Sequence, residues 1–220
     1  MENSKNIVVL LAGGSGNRFE RKLPKQFVKV LGKTVLEYTL DNIASIDVID
    51  EIYLVCHAGY IRKVLSLVEK YPKIKKILQG GETRCESIKK GIDAICNSGL
   101  KTKVLIHDGV RPLVSPTVIE KIVKLLDKYE VVQTITKPDT DMVIENRFCH
   151  RKNIKCCSGP EGGRLDVLRK AYGINPCDSV LQSCSSITSK ITTVESNPEN
   201  LKITYSADVS FLKQELKKRM

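Results

Sequence analysis

The chain contains no tryptophan, and only 5% of its residues are aromatic. That argues against a reader of single strands that stacks bases on aromatic platforms. No apolar run approaches the ~18 residues of a membrane-spanning helix. Met1–Ile7 is polar and passes directly into the apolar run Val8–Leu11. The order of basic segment, hydrophobic stretch and small-residue cleavage site that marks a secretory signal is missing. A soluble, cytoplasmic protein is expected. The eight cysteines form no Cys-x-x-Cys pair. Cys149, His150, Cys156 and Cys157 lie close together, but their spacing matches no common zinc site, so reduced thiols are expected. Acidic residues are in deficit, 25 against 36 Lys and Arg, which leaves a net charge of +11. Such an excess favours anionic partners, phosphorylated small molecules among them. The basic clusters Lys73–Lys76 and Lys217–Arg219 are short, and no zinc-finger or RNA-recognition motif accompanies them. Neither nucleic acid nor a membrane is expected as a partner.

What is present is an ordinary globular composition, 41% hydrophobic and 28% charged over 220 residues. At ~100–200 residues per domain this is a single domain, 1–220. Strand and helix patterns alternate along it. The runs Ile7–Leu11, Ile52–Cys56 and Val104–Ile106 are short and continuously apolar, as in strands buried on both faces. Ile77-Leu78, Val131–Ile135 and Ile191–Val194 read as further strands. Helical spacing places Leu36, Leu40 and Ile43 on one face, then Ile61, Val64, Leu65 and Val68 on a helix that Pro72 stops. Ile88, Ile92 and Ile95 mark the next helix. Ser115 is expected to cap a helix with Pro116 at its first position and Ile119, Ile122, Val123 and Leu126 inside. Leu165, Leu168 and Ala171-Tyr172 mark another. Ser206 is expected to cap the last, which carries Phe211, Leu212 and Leu216. This rhythm predicts an α/β protein of three layers, α/β/α, around a mostly parallel, Rossmann-like sheet. Between Lys137 and Gly163 the rhythm breaks, and an extended arm or hairpin off the sheet is expected there.

Ligands of such sheets bind beyond the carboxyl ends of the strands. Three unusual segments fall there. The first is Leu11-Ala-Gly-Gly-Ser-Gly-Asn-Arg18, followed by Leu23-Pro-Lys-Gln26. Glycines after a strand let backbone N–H groups reach phosphate oxygens. The loop is not a Walker A motif, because no Gly-Lys-Ser/Thr follows. A nicotinamide-dinucleotide fingerprint is disfavoured by Phe19, which stands where its third glycine belongs. Arg18 and Lys25 instead supply cations suited to a triphosphate attacked at its α-phosphorus. The second segment, Gly80-Gly-Glu-Thr-Arg-Cys-Glu-Ser87, joins a strand to a helix and allows close approach of a flat ring. The third, His107-Asp-Gly-Val-Arg-Pro112, puts Asp108 where a Mg²⁺ bridging phosphates would sit, with Arg111 for a second anion. Asn200-Leu-Lys-Ile-Thr204 adds Lys202, read as a lysine at a strand end.

Together these segments, with Asp139-Thr140, resemble the sugar-alcohol-phosphate cytidylyltransferases over nearly the whole chain. This family includes the ribitol 5-phosphate and 2-C-methyl-D-erythritol 4-phosphate enzymes. The resemblance implies the nucleotide-diphospho-sugar transferase fold and a homodimer joined by the arm at about 137–163. It implies a Mg²⁺-dependent transfer of CMP from CTP to a polyol phosphate, giving a CDP-alcohol and pyrophosphate. By position, Ala12, Gly13, Gly14, Gly16 and Arg18 would hold the CTP phosphates, and Lys25 would stabilise the transition state. Gly81, Glu82 and Ser87 would contact cytosine and ribose. Asp108 would hold Mg²⁺, and Lys202 would bind phosphate oxygens. Arg111, Thr140 and Arg151 would bind the acceptor phosphate, partly across the dimer. The chain departs from the family on the acceptor side. Where Gln-Thr-Pro-Gln is common it has Cys157-Ser-Gly-Pro-Glu-Gly162, His150-Arg151 replaces Asp-Arg, and Cys177-Asp178 replaces Thr-Asp. Leu-Ala-Gly-Gly at 11–14 and Val110 are closer to the ribitol phosphate branch, so a pentitol phosphate is the leading acceptor. Methylerythritol phosphate is the alternative, and a catalytically silent CTP-binding subunit is an alternative of another class.

Overall fold

The computed structural model describes residues 4–14, 19, 23–96 and 101–219. In chain order the elements are β1 (Asn6–Ala12), β2 (Lys29–Val30), β3 (Lys33–Thr34), α1 (Val35–Ala44), β4 (Glu51–Cys56), α2 (Ile61–Leu65), β5 (Ile74–Gln79), α3 (Arg84–Asp93), β6 (Lys103–Asp108), α4 (Pro116–Leu125), β7 (Val131–Thr136), β8 (Met142–Ile144), β9 (Arg147–Cys149), β10 (Cys156–Arg164), α5 (Leu165–Ile174), α6 (Val180–Cys184), β11 (Ile191–Glu195) and α7 (Asp208–Lys218). Seven strands form the central sheet in the order β11-β7-β10-β6-β1-β4-β5. Pairing is parallel except where β10 runs antiparallel between β6 and β7.

Successive side chains of a strand face opposite ways, and that alternation builds the three layers. Val8, Leu10, Ile52, Leu54 and Leu105 enter one core with residues of α1 and α4. Ile7, Val9, Tyr53, Val55, Val104 and Ile106 enter a second core with α3, α5 and α6. A smaller cluster with Val28, Val30, Val110, Ile203 and Leu212 packs α7 near the β2–β3 hairpin. A full capping box starts α1: the Thr34 hydroxyl accepts from Glu37 N–H, and the Glu37 carboxylate accepts from Thr34 N–H.

Four expectations change. The segment standing off the sheet ends sooner than Gly163, because Cys156–Arg164 is a central strand. Its composition hid it: Cys-Cys-Ser-Gly-Pro-Glu-Gly-Gly-Arg has little intrinsic preference for strand. The glycines serve packing, since a Cβ on Gly162 would stand 2.5 Å from Ile122 Cγ2 and one on Gly163 2.7 Å from Leu168 Cδ2. The helix at Ile61 stops at Leu65 and continues as 3₁₀ turns, through Leu67 N–H to Val64 O and Lys70 N–H to Leu67 O. Ser115 holds the N-cap place of α4 but bonds Thr117 Oγ1 rather than the helix backbone. Ser206 does not cap α7. The turn before that helix is tied by the Asp208 carboxylate, which accepts from the N–H groups of Thr204 and Tyr205.

Candidate active site

The carboxyl ends of β1 and β6 lie side by side at the centre of the sheet, with β4 and β5 continuing to the other side of β1. A crevice outside such a reversal of strand order is where open α/β sheets bind ligands. A cavity of about 380 Å³ opens there. It is lined by the loop after β1 (Leu11–Gly14), Lys25-Gln26, His57, Gly81–Arg84, Ser87, Asp108, Val110 and Lys202. Segments from six places in the sequence therefore meet in one cleft. Gly16 and Arg18 lie outside the described residues.

Asp108 is the electrostatic centre. It ends β6, and the turn after it is held by Gly109 N–H donating to Leu11 O at 2.8 Å and Thr39 Oγ1 donating to Gly109 O at 3.0 Å. Three cations surround its carboxylate: Arg111 Nε and Lys202 Nζ each 3.1 Å from Oδ2, and Arg84 NH2 3.5 Å from Oδ1. Burial alone would raise the acid, but Lys202, Arg84 and Arg111 together outweigh it and hold it far below the usual carboxylate range. Asp108 is ionised at any physiological pH. The preceding residue, His107, is fully buried, which drives its imidazole down to about 4. Its ring is neutral, with Nε2–H donating to the Arg111 carbonyl at 3.1 Å. It therefore orients the loop and has no free role in proton transfer.

Gln26 is buried beside Lys25, and its Nε2 donates to Ala12 O at 2.9 Å and Gly14 O at 3.2 Å. The glycine loop is held at two points. Across the cleft, Gly81 N–H donates to Ser87 Oγ at 3.0 Å, and Glu82 N–H to Glu86 Oε2 at 2.9 Å. A Cβ on Gly81 would stand 2.3 Å from Glu86 Cβ, so this turn closes only around glycine. Lys202 is not at a strand end. It lies in an irregular segment after β11, anchored by Ile203 N–H donating to Val110 O at 3.0 Å.

Thr140 and Arg151 do not line the cavity. They sit together on the segment that carries the β8–β9 hairpin, where Arg151 donates through its backbone N–H to Asp141 Oδ1 at 2.8 Å and through its guanidinium to Asp139 O. Gln26, His57, Arg84, Glu161 and Asn200 were not individually singled out in the sequence. Arg84 joins the site by bridging Asp108 and Glu161 Oε1 (3.2 Å) and donating to Asp178 O. Glu161 is buried in β10 and also accepts from Ser179 Oγ and Val180 N–H. Two departures noted in the sequence, at Cys157–Gly162 and at Cys177-Asp178, thus meet at one arginine. A signal that could have found Glu161 is its lone carboxylate in a run of small residues, Cys157-Ser-Gly-Pro-Glu161.

The chain matches the profile of a family described as 2-C-methyl-D-erythritol 4-phosphate cytidylyltransferase (IspD) over residues 6–217. A bifunctional ribulose 5-phosphate reductase/CDP-ribitol pyrophosphorylase of Haemophilus influenzae is 32% identical over 95% of the chain. The match takes in 48% of that protein, so the chain spans about half its length. A 2-C-methyl-D-erythritol 4-phosphate cytidylyltransferase of Thermosipho africanus is 31% identical over 94% of this chain and 96% of its own. The crystal structure of 4-diphosphocytidyl-2C-methyl-D-erythritol synthase from Anaerococcus prevotii superposes with a TM-score of 0.84 at 25% identity, over 97% of this chain and 96% of that one. With the family profile covering residues 6–217 and the fold shared with a solved relative, the chain belongs to the IspD family of cytidylyltransferases.

Proposed function

We propose that this protein transfers CMP from CTP to a polyol phosphate, releasing pyrophosphate, and that the acceptor is ribitol 5-phosphate or a related pentitol phosphate. The observation that carries the reaction is the convergence of the glycine loop, Lys25, Asp108 and Lys202 on one cleft. The acceptor's phosphate oxygen is the nucleophile. It attacks the α-phosphorus in line, and the bond to the β-phosphate oxygen breaks. Negative charge on the transferring group grows against fixed cations, which is where such sites obtain most of their rate. Lys25 and Lys202 stand in the cleft for that purpose, with the N–H groups of residues 12–14 beside them. A side-chain base is unnecessary because the attacking phosphate is already an anion. Asp108 is held too acidic to accept a proton, and His107 is committed to Arg111 O. Ser87, Gly81 and Glu82 take the cytosine and ribose end.

Asp108, an ionised carboxylate beside the glycine loop, would hold Mg²⁺, in competition with Arg84, Arg111 and Lys202, which face its oxygens here. Among the described residues no group of three or more His, Cys, Asp or Glu could hold a metal by itself. Mg²⁺ generally binds through one or two carboxylates plus substrate phosphates and water. When bound, it would offset charge on the phosphates.

The partner in the assembly is a second copy of the chain. The β8–β9 hairpin turns through Glu145 and Asn146, both at positive φ, and exposes Met142, Val143, Ile144 and Phe148. A partner covering that face would bring Thr140 and Arg151 to the Arg111 corner of the other site. Sedimentation should show a dimer, and Phe148→Glu should shift it toward monomer and lower turnover. A Phe148→Glu protein that sediments like the parent removes the hairpin from the interface. No helix among the described residues is long and apolar enough to cross a membrane, and a CTP-dependent reaction of this kind belongs in the cytoplasm.

The pentitol reading draws on the similarity to the protein named as a CDP-ribitol pyrophosphorylase and on Leu11–Gly14 and Val110. Methylerythritol 4-phosphate is the second reading, favoured by the family profile and the Thermosipho africanus relative. Pyrophosphate release from CTP and Mg²⁺ with each acceptor, side by side, separates the two. Release with neither, while CTP still binds, would replace both with the silent binding subunit.

A further inference from the structure

The three cations around Asp108 do not face the same oxygen. Arg111 Nε and Lys202 Nζ both lie 3.1 Å from Oδ2. Oδ1 is faced by Arg84 NH2, at the longer distance of 3.5 Å. A carboxylate oxygen already in contact with two cations has little capacity left for a third. Asp108 lines the cleft, and Oδ1 is the oxygen through which it can take a cation that arrives with a triphosphate. Whatever keeps Arg84 from closing on Oδ1 therefore bears on the chemistry of the site.

The restraint comes from Glu161. The same NH2 donates to Glu161 Oε1 at 3.2 Å, the shorter of its two carboxylate contacts. NH1 donates to the Asp178 carbonyl, and Asp178 Oδ1 accepts from Cys85 N–H at 3.0 Å. The guanidinium and the backbone beside it are thus tied to one turn. Glu161 cannot follow Arg84 toward Asp108, because its other oxygen accepts from Val180 N–H at 2.7 Å and Ser179 Oγ at 2.9 Å. Glu161 is buried and does not line the cleft, whereas Arg84 does. Buried ion pairs often stabilise a fold no better than well-packed apolar residues, so stability alone does not call for a carboxylate here.

We propose that Glu161 is a positioning residue for Asp108: by holding the Arg84 guanidinium it keeps Oδ1 open to the divalent cation that enters with CTP. This rests on the CTP and Mg²⁺ reading above and on no choice of acceptor. Glu161 touches neither substrate nor metal and acts through Arg84. The isosteric Glu161→Gln isolates that action. Val180 N–H can only donate, so it keeps the carboxamide oxygen, and the NH2 group is turned toward Arg84. Two donors then face each other, and Arg84 shifts onto Asp108 Oδ1, its remaining carboxylate partner.

The experiment measures Mn²⁺ binding by electron paramagnetic resonance, with CTP present and acceptor absent so that nothing turns over. A protein-free titration gives the Mn²⁺ held by CTP alone. The proteins are the parent, Glu161→Gln, Arg84→Gln and the double variant, each with a thermal melt and a calorimetric titration with CTP in EDTA. Glu161→Gln should weaken Mn²⁺ binding ~10-fold or more, the scale on which outer groups that orient a metal ligand act. Metal-free CTP should bind it no more weakly than it binds the parent, whereas a general loss of packing would weaken both. Arg84→Gln removes the competitor for Oδ1 and should bind Mn²⁺ at least as tightly as the parent. Adding Glu161→Gln to Arg84→Gln should then change Mn²⁺ affinity by less than ~3-fold, because the effect runs through Arg84. Unchanged Mn²⁺ binding in Glu161→Gln overturns the proposal, and so does an equal loss in both backgrounds. If Glu161→Gln does not melt cooperatively, the double variant decides. Mn²⁺ binding there as tight as the parent's supports the proposal, and weaker binding overturns it. A parent that holds no Mn²⁺ beyond that bound by CTP defeats the Mg²⁺ reading itself, and the proposal with it.

Discussion

Gln26 offers the cleanest test of how the glycine loop is held. Its carboxamide is 1% exposed and donates to the carbonyls of Ala12 and Gly14. In a trans peptide the N–H points opposite to the carbonyl. Drawing the Ala12 carbonyl toward Gln26 therefore turns the Gly13 N–H the other way. Gln26→Met removes both donors while keeping length and volume. Each bond contributes about 0.5–1.5 kcal/mol net, or ~1–3 kcal/mol for the two. Part of this is returned, because Gln26 Oε1 is buried without a partner and methionine abolishes that cost. The global stability change should thus be small, on the order of 1 kcal/mol. The loop bears most of the loss, and CTP affinity should fall ~5–30-fold, matching ~1–2 kcal/mol. Gln26→Glu should be worse, since a carboxylate can only accept and would face two carbonyls and the incoming phosphates. Calorimetric titration with CTP, beside a thermal melt, measures both parts. CTP affinity equal to the parent's in Gln26→Met would refute the idea that these two bonds orient the loop.

Lys25→Ala should cut turnover by ~10²–10³-fold with the melting temperature preserved, as for removal of one oxyanion-type donor. Near-normal turnover would remove Lys25 from the transition state. Gly162→Ala should destabilise by about 1–3 kcal/mol, because its Cβ would stand 2.5 Å from Ile122 Cγ2. A neutral result in denaturant unfolding would show that β10 does not run beneath α4. Burial lowers the His107 imidazole from 6.5 in the unfolded chain to about 4. As pH falls below 6.5 the unfolded chain takes up a proton that the folded chain refuses. The contribution is therefore complete above 6.5 and lost as pH falls toward 4. At about 1.36 kcal/mol per pKa unit this amounts to ~3 kcal/mol. His107→Gln, which keeps a donor for Arg111 O, should flatten stability over that window, and an unchanged slope by chemical denaturation would locate the acid sensitivity elsewhere.

Much of the site was legible because its chemistry is written in local motifs. Glycines after a buried strand, a lysine and glutamine about ten residues further along the sequence, and an aspartate closing another apolar strand are each readable from local sequence. The alternating apolar runs likewise determined the layered α/β fold, since a strand buried on both faces and a one-sided helix have different periods. Tertiary structure alone decided what depends on distance across the chain. The strand Cys156–Arg164 has no strand signature of its own and exists because β6 and β7 offer it hydrogen bonds on both edges and α4 and α5 press on its glycines. The threefold cationic grip on Asp108 joins residues 84, 108, 111 and 202, a grouping no local pattern encodes. Nor could the sequence separate Gly159, which packing does not require, from Gly162 and Gly163, which it does. Sequence records the backbone's preferences and each side chain's chemistry. Whether a missing side chain is filled by a neighbour or left as space is settled only when the neighbours are in place.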